Sequence, residues 1–416
     1  MTLYTDLNKA PFPAFGGKSR IAAEVWSRFG NVRNYVEPFA FSAAVLLKRP
    51  GGPGAVETIN DRNAFVTNFW RAVRSEPDAV AEHADWPVIE DDLHARHRWL
   101  VASDEAVARL DRVREDPEYF DAKIAGWWCW GACCWIGSGW CDETQQLPHM
   151  TGSQGLTQKL PHMTGSQGLT QKLPHMDAAG RLVLSPNDRR PGMSQAGLGV
   201  NAGGKIVPLS LVFGQGITCA PDDSHRPQLA DEFSRGRGVN GGMDLTACGQ
   251  RREWITRWML ALADRLRPVR VCCGHWSRVC DSPSTMTRLG LTGVFLDPPY
   301  RVTLACGKAN RTKYLYANDR NQDVNALCDE VQEWCLRWGT DPEVRIALCG
   351  LEGEYPAIEA AGWKVHAWKS NGGYGNKKGG NENENARRER VWFSPHCITP
   401  HTHHGLFGVP IHTEAS

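Results

Sequence analysis

The sequence predicts an α/β protein with a mostly parallel sheet. Three features carry that expectation. Strand-like and helix-like segments alternate over the first 80 residues, and the alternation resumes after residue 250. An apolar run at Gly293–Leu296 then breaks on Asp297-Pro298-Pro299-Tyr300. A β-α-β-α order is the pattern of a parallel sheet covered by helices.

The elements follow in order. Asn34–Glu37 is a short β-type run closed by Pro38. Ser42–Lys48 reads as a short helix with Ser42 as its cap. Ala55–Ile59 is β-like, and Asn63–Arg74 has helical spacing, with Phe65, Phe69 and Val73 on one face. Asp91–Arg114 reads as one or two charged helices. Phe120–Ile136, which holds Trp127, Trp128, Trp130 and Trp135, is apolar on nearly every side, the mark of a buried helix. Beyond residue 250, Arg251–Leu266 is an amphipathic helix that turns Trp254, Ile255, Trp258, Leu262 and Leu266 inward. Strands are expected at Val269–Cys273, Gly293–Leu296, Val344–Leu348 and Trp363–Trp368, with a helix at Asp323–Trp338. Val391–Phe393 closes the sheet.

Composition sets the class. The chain has 416 residues, 41% hydrophobic and 22% charged, which is ordinary for a folded protein and excludes wholesale disorder. Its longest apolar run, Ile124–Ile136, falls short of the roughly 20 residues that span a membrane. The first residues lack a basic region followed by an apolar core, so the expected location is the cytoplasm. Basic and acidic residues nearly balance, 47 against 46, so any nucleic-acid footprint must be local. The 14 cysteines, some adjacent as in Cys133–Cys134 and Cys272–Cys273, read as buried reduced thiols.

Residues 85–250 interrupt the alternation and read as an insertion. Within it, LPHMTGSQGLTQK at 147–159 recurs at 160–172, and LPHM returns at 173–176. A 13-residue period with so few copies does not build a solenoid, and its Gly, Ser, Thr and Pro content reads as loop or hairpin. The expected organisation is one domain in two halves, 8–84 and 251–398, separated by the insertion 85–250, with a tail at 399–416. The repeats at 147–176 belong to the insertion.

Asp297-Pro298-Pro299-Tyr300 is the strongest chemical signal. A buried strand delivers it to the carboxyl edge of the sheet, where open α/β folds bind ligands. The carboxylate and a proline carbonyl are then two acceptors for one exocyclic amino group, and the tyrosine ring is a face for a planar base. Two further motifs precede it. One is Pro11-Phe12-Pro13-Ala14-Phe15-Gly16-Gly17-Lys18. The other is Tyr35-Val36-Glu37-Pro38-Phe39-Ala40-Phe41-Ser42, followed by Asn60-Asp61-Arg62-Asn63.

In order and spacing these motifs resemble the Dam-like DNA adenine methyltransferases, and most closely their phage-type branch. The resemblance covers roughly 10–80 and 250–400 and places the insertion in the family's target-recognition slot. It implies a Rossmann-like S-adenosylmethionine-dependent methyltransferase fold with seven strands, mostly parallel. It also implies methyl transfer to adenine N6 in duplex DNA after base flipping, of the restriction-modification kind. Carried over by residue, it makes Asp297, Pro298, Pro299 and Tyr300 catalytic. Phe15, Gly16, Gly17 and Lys18 would lie near the methionine end of S-adenosylmethionine. Glu37, Pro38 and Phe39 would wrap the cofactor, Asn60 or Asp61 would hold its ribose, and His275 and Trp276 would meet its adenine. Phe41 and Ala43 stand where the family prefers glycine. No metal is required, and a monomer is expected.

The glycine- and asparagine-rich stretch before the last strand holds six basic and three acidic residues between Lys369 and Arg390. Lys377, Lys378, Arg387 and Arg388 are its candidate phosphate contacts. Cys129, Cys133, Cys134 and Cys141 are interleaved with tryptophans and read as core, and His396, Cys397, His401, His403 and His404 as a polar tail. Two other functions remain open on the sequence: a non-catalytic DNA-binding relative, and an amino-methyltransferase for an RNA base or a protein amide.

Overall fold

A computed structural model of the chain describes residues 8–14, 17–135, 140–141, 248–301, 324–368 and 387–399. It also describes the backbone of two short antiparallel ladders, 175–176 with 182–183 and 403–404 with 410–411. Phe15, Gly16, Lys377, Lys378 and the repeats up to residue 174 lie outside the described residues.

Seven strands form one sheet: β1 Asn34–Glu37, β2 Val56–Asp61, β3 Val269–Cys273, β4 Thr292–Leu296, β5 Val344–Leu351, β6 Lys364–Ala367 and β7 Glu389–Phe393. Their order is β3-β2-β1-β4-β5-β7-β6. The five strands from β3 to β5 run parallel, with Val36 of β1 opposite both Thr58 of β2 and Val294 of β4. The chain winds outward from β1 to β2 and β3, then returns to lay β4 on the other side of β1. The connections leaving the carboxyl ends of β1 and β4 therefore run in opposite directions along the sheet, the point where open α/β sheets form a ligand crevice.

Ten helices accompany the strands among the described residues: α1 Ala22–Phe29, α2 Ala44–Leu47, α3 Ala64–Ser75, α4 Pro77–Ala84, α5 Glu90–Ala102, α6 Asp104–Glu115, α7 Ala122–Cys134, α8 Cys248–Leu266, α9 Val324–Trp338 and α10 Pro356–Ala360. Strand periodicity sorts the core into two layers. Phe295, Ala347 and Phe393 point into the layer with α1, α3, α7 and α8. Val294, Leu296, Ile346 and Trp392 point into the layer with α9 and α10. Burial on both faces is why β4 reads as a continuous apolar run and not as an alternation.

Two local expectations change. Ser42 is not a cap: the residue before α2 is Ala43, in left-handed backbone, and no side chain caps that helix. β7 does not close the sheet at an edge; it inserts antiparallel between β5 and β6, which puts β6 at the rim. The charged stretch 91–114 resolves into two helices because the Ser103 hydroxyl accepts from the Ala106 amide at 3.1 Å and starts α6.

The first part of the insertion joins the main core. Asp121 caps α7 by accepting from the Ile124 amide at 2.8 Å, and Asn68 of α3 bonds both backbone groups of Asp121. The buried Arg71 guanidinium donates to the carbonyls of Val113 in the last turn of α6, of Asp116 just after it, and of Val271 in β3. α7 in turn backs the first motif. Trp128 meets Phe12 edge-on at 4.8 Å, and the Cys133 thiol lies 3.3 Å from the Pro11 carbonyl. Cys129, Cys133 and Cys134 are buried in this packing. Among the described residues no helix is long and apolar enough to cross a membrane.

Candidate active site

The tetrapeptide leaves β4 at the crevice. Pro298 and Pro299 cannot donate to a ladder, so the strand ends there. The turn is pinned from beneath: the Cys328 thiol of α9 approaches the Pro299 carbonyl at 3.1 Å, and the Arg301 amide donates to Glu354 at 2.6 Å. Asp297 and Tyr300 are left facing the first motif.

Lys18 comes from that motif and is buried. Its ammonium lies 3.1 Å from Asp297 Oδ1, donates to the Tyr300 hydroxyl at 2.8 Å, and sits 3.7 Å from Glu389 Oε2. The Tyr300 hydroxyl gives its proton to Glu389 at 2.7 Å, with Asp297 Oδ1 farther off at 3.4 Å. The rings of Tyr300 and Trp368 flank the ammonium at 5.3 and 5.6 Å. Of the charged members Asp297 is the most open, its side chain 26% exposed against 8% for Lys18 and Glu389.

Charge explains how this cluster holds. Burial works against the Lys18 ammonium, but Asp297 and Glu389 outweigh it and lift its pKa above the ordinary lysine value. Enclosure pushes the carboxyls of Asp297 and Glu389 up, and Lys18 pulls both back. Burial likewise raises the Tyr300 hydroxyl and the Cys349 thiol nearby. Deeper in β1, Glu37 accepts from the Tyr35 hydroxyl at 2.9 Å and the Leu46 amide at 3.1 Å. Burial carries its pKa to about 8, so it is mostly neutral at pH 7.

The residues assigned to the cofactor converge on the same edge. Phe39 and Trp276 stack at 6.0 Å, joining the turns after β1 and β3. The Asn60 amide donates to the carbonyls of Pro38 and Gly274, both at 3.0 Å, so both its hydrogens hold those turns together. Asp61 accepts from the Phe41 amide at 3.0 Å and the Asn63 amide at 2.8 Å, and burial raises it to about 6. His275 is half-exposed, its Nδ1 2.9 Å from the Ser277 hydroxyl. Phe41 and Ala43 both have positive φ, 34° and 48°, a conformation that favours glycine. The Phe41 ring meets Phe12 edge-on at 5.6 Å.

Two open clefts lie among the described residues. One, of about 560 Å³, opens beside the ends of β2 and β3 and is lined in part by Asn63, Phe65, Leu110, Gly274, His275 and Arg278. The other, of about 590 Å³, lies among α4, α5, α7 and α8, with Trp86, Trp99 and Trp127 around Arg96. Neither cleft is lined by the tetrapeptide.

Glu389 and Trp368 escaped sequence reasoning. Glu389 lies inside an arginine-rich run, Arg387-Arg388-Glu389-Arg390, whose composition points to solvent. Its only local signal is that it opens the apolar strand Val391-Trp392-Phe393. The cluster therefore joins Lys18 to Asp297, Tyr300 and Glu389, while Arg387 is exposed and Arg388 half-buried at the mouth of β7. Comparison with protein-family models and with curated proteins finds no match for this chain.

Proposed function

We propose that the chain is an S-adenosylmethionine-dependent methyltransferase that modifies adenine N6 in duplex DNA, reaching the base by extrusion from the stack. The observation that carries this reading is Asp297-Pro298-Pro299-Tyr300 at the β1/β4 crevice, with one Asp297 oxygen fixed by Lys18. The motif resemblance adds the choice of adenine.

The residues present fit the cofactor. S-adenosylmethionine, when bound, supplies an electrophilic methyl carbon. The cleft beside β2 and β3 suits its adenosine end. Asp61, with lone pairs beyond the two amide bonds, is the better ribose partner, since the Asn60 amide already bridges two turns. The left-handed backbone at Phe41 and Ala43 makes the tight turn after β1 that such a ligand needs.

The chain's own residues then act on the target. Asp297 and the Pro298 carbonyl accept hydrogen bonds from the adenine amino group. This favours a pyramidal nitrogen with an available lone pair. Tyr300 holds the ring face, while Lys18 and Glu389 keep the tyrosine and aspartate in place. The rate comes from positioning and from acceptors fixed before the reaction. Arg387 and Arg388, with Lys377 and Lys378, supply phosphate contacts that orient the duplex.

Long-read sequencing of DNA from cells expressing the chain tests the reading: N6-methyladenine at one sequence context supports it, and unmodified DNA sinks it. A second reading, a non-catalytic DNA-binding relative, draws on the strained Phe41 and Ala43. Calorimetric titration with S-adenosylmethionine separates the two, because only the enzyme reading requires binding.

A further inference from the structure

The Lys18 cluster is unbalanced in charge. It joins one ammonium to two carboxylates, Asp297 at 3.1 Å and Glu389 at 3.7 Å, and bridges the carboxylates through one tyrosine hydroxyl. With both acids ionised, one negative charge is left over in a mostly dry site. Among the described residues, the nearby basic side chains are paired elsewhere: Arg390 with Glu352 at 2.9 Å and Arg301 with Asp329 at 2.5 Å. Among the described residues, the other titratable groups facing the cluster are Glu37 and Cys349. Glu37 is mostly neutral at pH 7 and Cys349, a buried thiol, is neutral as well, so neither cancels the excess. A buried charge without a full partner is costly, and a cationic ligand bound beside it would offset that cost.

We propose that this surplus negative charge is the counter-charge of a sulfonium ligand, and that Glu389 is the specificity residue that supplies it. The inference rests on the methyltransferase reading and deepens it. Asp297 and Lys18 alone would be neutral; Glu389 tips the cluster to one negative charge. A sulfonium neutralises it. When the methyl group leaves, its bond to sulfur breaks with the electron pair staying on sulfur, and the product thioether is neutral. The amino nitrogen, now bonded to the methyl carbon, releases one proton, and Asp297 Oδ2, which no described residue bonds, is the acceptor. With Asp297 protonated, Lys18 keeps Glu389 as its ionised partner. The cluster is then neutral without any charged ligand, so nothing electrostatic holds the thioether. One acid thus favours entry of the charged cofactor and release of the spent one.

The test is binding and needs no turnover. Calorimetry compares S-adenosylmethionine with S-adenosylhomocysteine, its neutral thioether, on the full-length protein, the Glu389→Gln variant and the Glu389→Asp variant. The wild type is expected to prefer the sulfonium. Glu389→Gln should reduce that preference about tenfold, with affinity for the thioether nearly unchanged. Glu389→Asp, which keeps the charge, should retain the preference. If Glu389→Gln does not fold, the wild type still decides. Its preference should fade as pH drops, from a pH above the ordinary carboxylate range, because burial raises both acids. Equal wild-type affinities, or an unchanged preference in Glu389→Gln, overturn the inference and leave the methyltransferase reading standing. Binding of neither compound overturns both.

Discussion

At the end of β4, side chains hold one another: Lys18, Asp297, Tyr300 and Glu389 are joined by ionic and hydroxyl contacts. At the end of β2, side chains hold backbone. Asn60 spans the Pro38 and Gly274 carbonyls, and Asp61 gathers the Phe41 and Asn63 amides. The two ends have different tolerances. Contacts between side chains leave the chain path alone when one is removed, so the β4 end answers substitution in chemistry. Contacts to backbone set the shape of the turns after β1 and β3, so the β2 end answers in folding and cofactor affinity together.

The sharpest way to break this contrast is Asp297→Ala. Its effect belongs in turnover, because the bond to the amino group matters most in the transition state. Single-turnover methyl transfer at saturating cofactor should fall about a hundredfold or more, roughly 2.7–4 kcal/mol. Duplex affinity should barely move, since phosphate contacts dominate it. Transfer at the wild-type rate would reduce the tetrapeptide to a strand exit. Asn60→Ala should behave in the opposite way. It leaves one buried carbonyl, Pro38, and one part-buried carbonyl, Gly274, without their donor, a loss of about 1–3 kcal/mol in stability for an unsatisfied group. Urea unfolding should register it, and S-adenosylmethionine affinity should drop in parallel. A variant that keeps full stability but loses only turnover would erase the distinction between the two ends.

Glu37 sharpens the comparison from within β1, where a carboxyl is bonded by both a side chain and a backbone amide. Its pKa in the folded protein, about 8, lies above its ordinary 4.5. The folded state therefore binds more protons than the unfolded chain between those values, and stability declines as pH rises through that window. The decline should end above about pH 8, where both states are ionised. Glu37→Gln keeps an acceptor for Tyr35 and Leu46 but removes the titration. Unfolding measured from pH 5 to 9 should show the variant losing less stability across the range, by on the order of 2 kcal/mol. Parallel pH curves would show that Glu37 is ionised in the fold.

How far these features were legible follows from how local each one is. The strands were readable because β-type runs ended on turn residues, as at Pro38 and Asp297. The tetrapeptide and the glycine–lysine motif were readable because their chemistry is contiguous. Helix α1 shows the limit of inspection: Ala22, Val25, Trp26 and Phe29 are buried at helical spacing, yet no helix was expected there. The insertion of β7 between β5 and β6 has no local signature, because register between distant strands depends on the whole sheet. Glu389 was hidden for the same reason, since its meeting with Lys18 and Tyr300 follows from that insertion. Phe41 and Ala43 were noted as replacements for glycine, and both prove to occupy backbone that favours it. There the turn overrode residue preference.

The mildest expected change is at Phe41, and it probes the β2 end where strain and packing oppose each other. A non-glycine residue in left-handed backbone costs about 1–2 kcal/mol, which Phe41→Gly removes. The same change loses an aromatic pair with Phe12, about 0.5–1.5 kcal/mol, and gives the unfolded chain more freedom, about 0.5–1 kcal/mol. Losing the partly buried ring's packing against the core adds about 1 kcal/mol more, so the net should be a small destabilisation on the order of 1 kcal/mol. The Phe41 amide bond to Asp61 and the carbonyl bond from the Trp70 indole are backbone contacts and survive. The turn should therefore keep its shape, and S-adenosylmethionine affinity should stay within about tenfold, or roughly 1.4 kcal/mol. Calorimetry on both proteins checks it. If the wild type does not bind and Phe41→Gly does, the phenylalanine closes the pocket, and the enzyme reading fails for this chain while its fold stands.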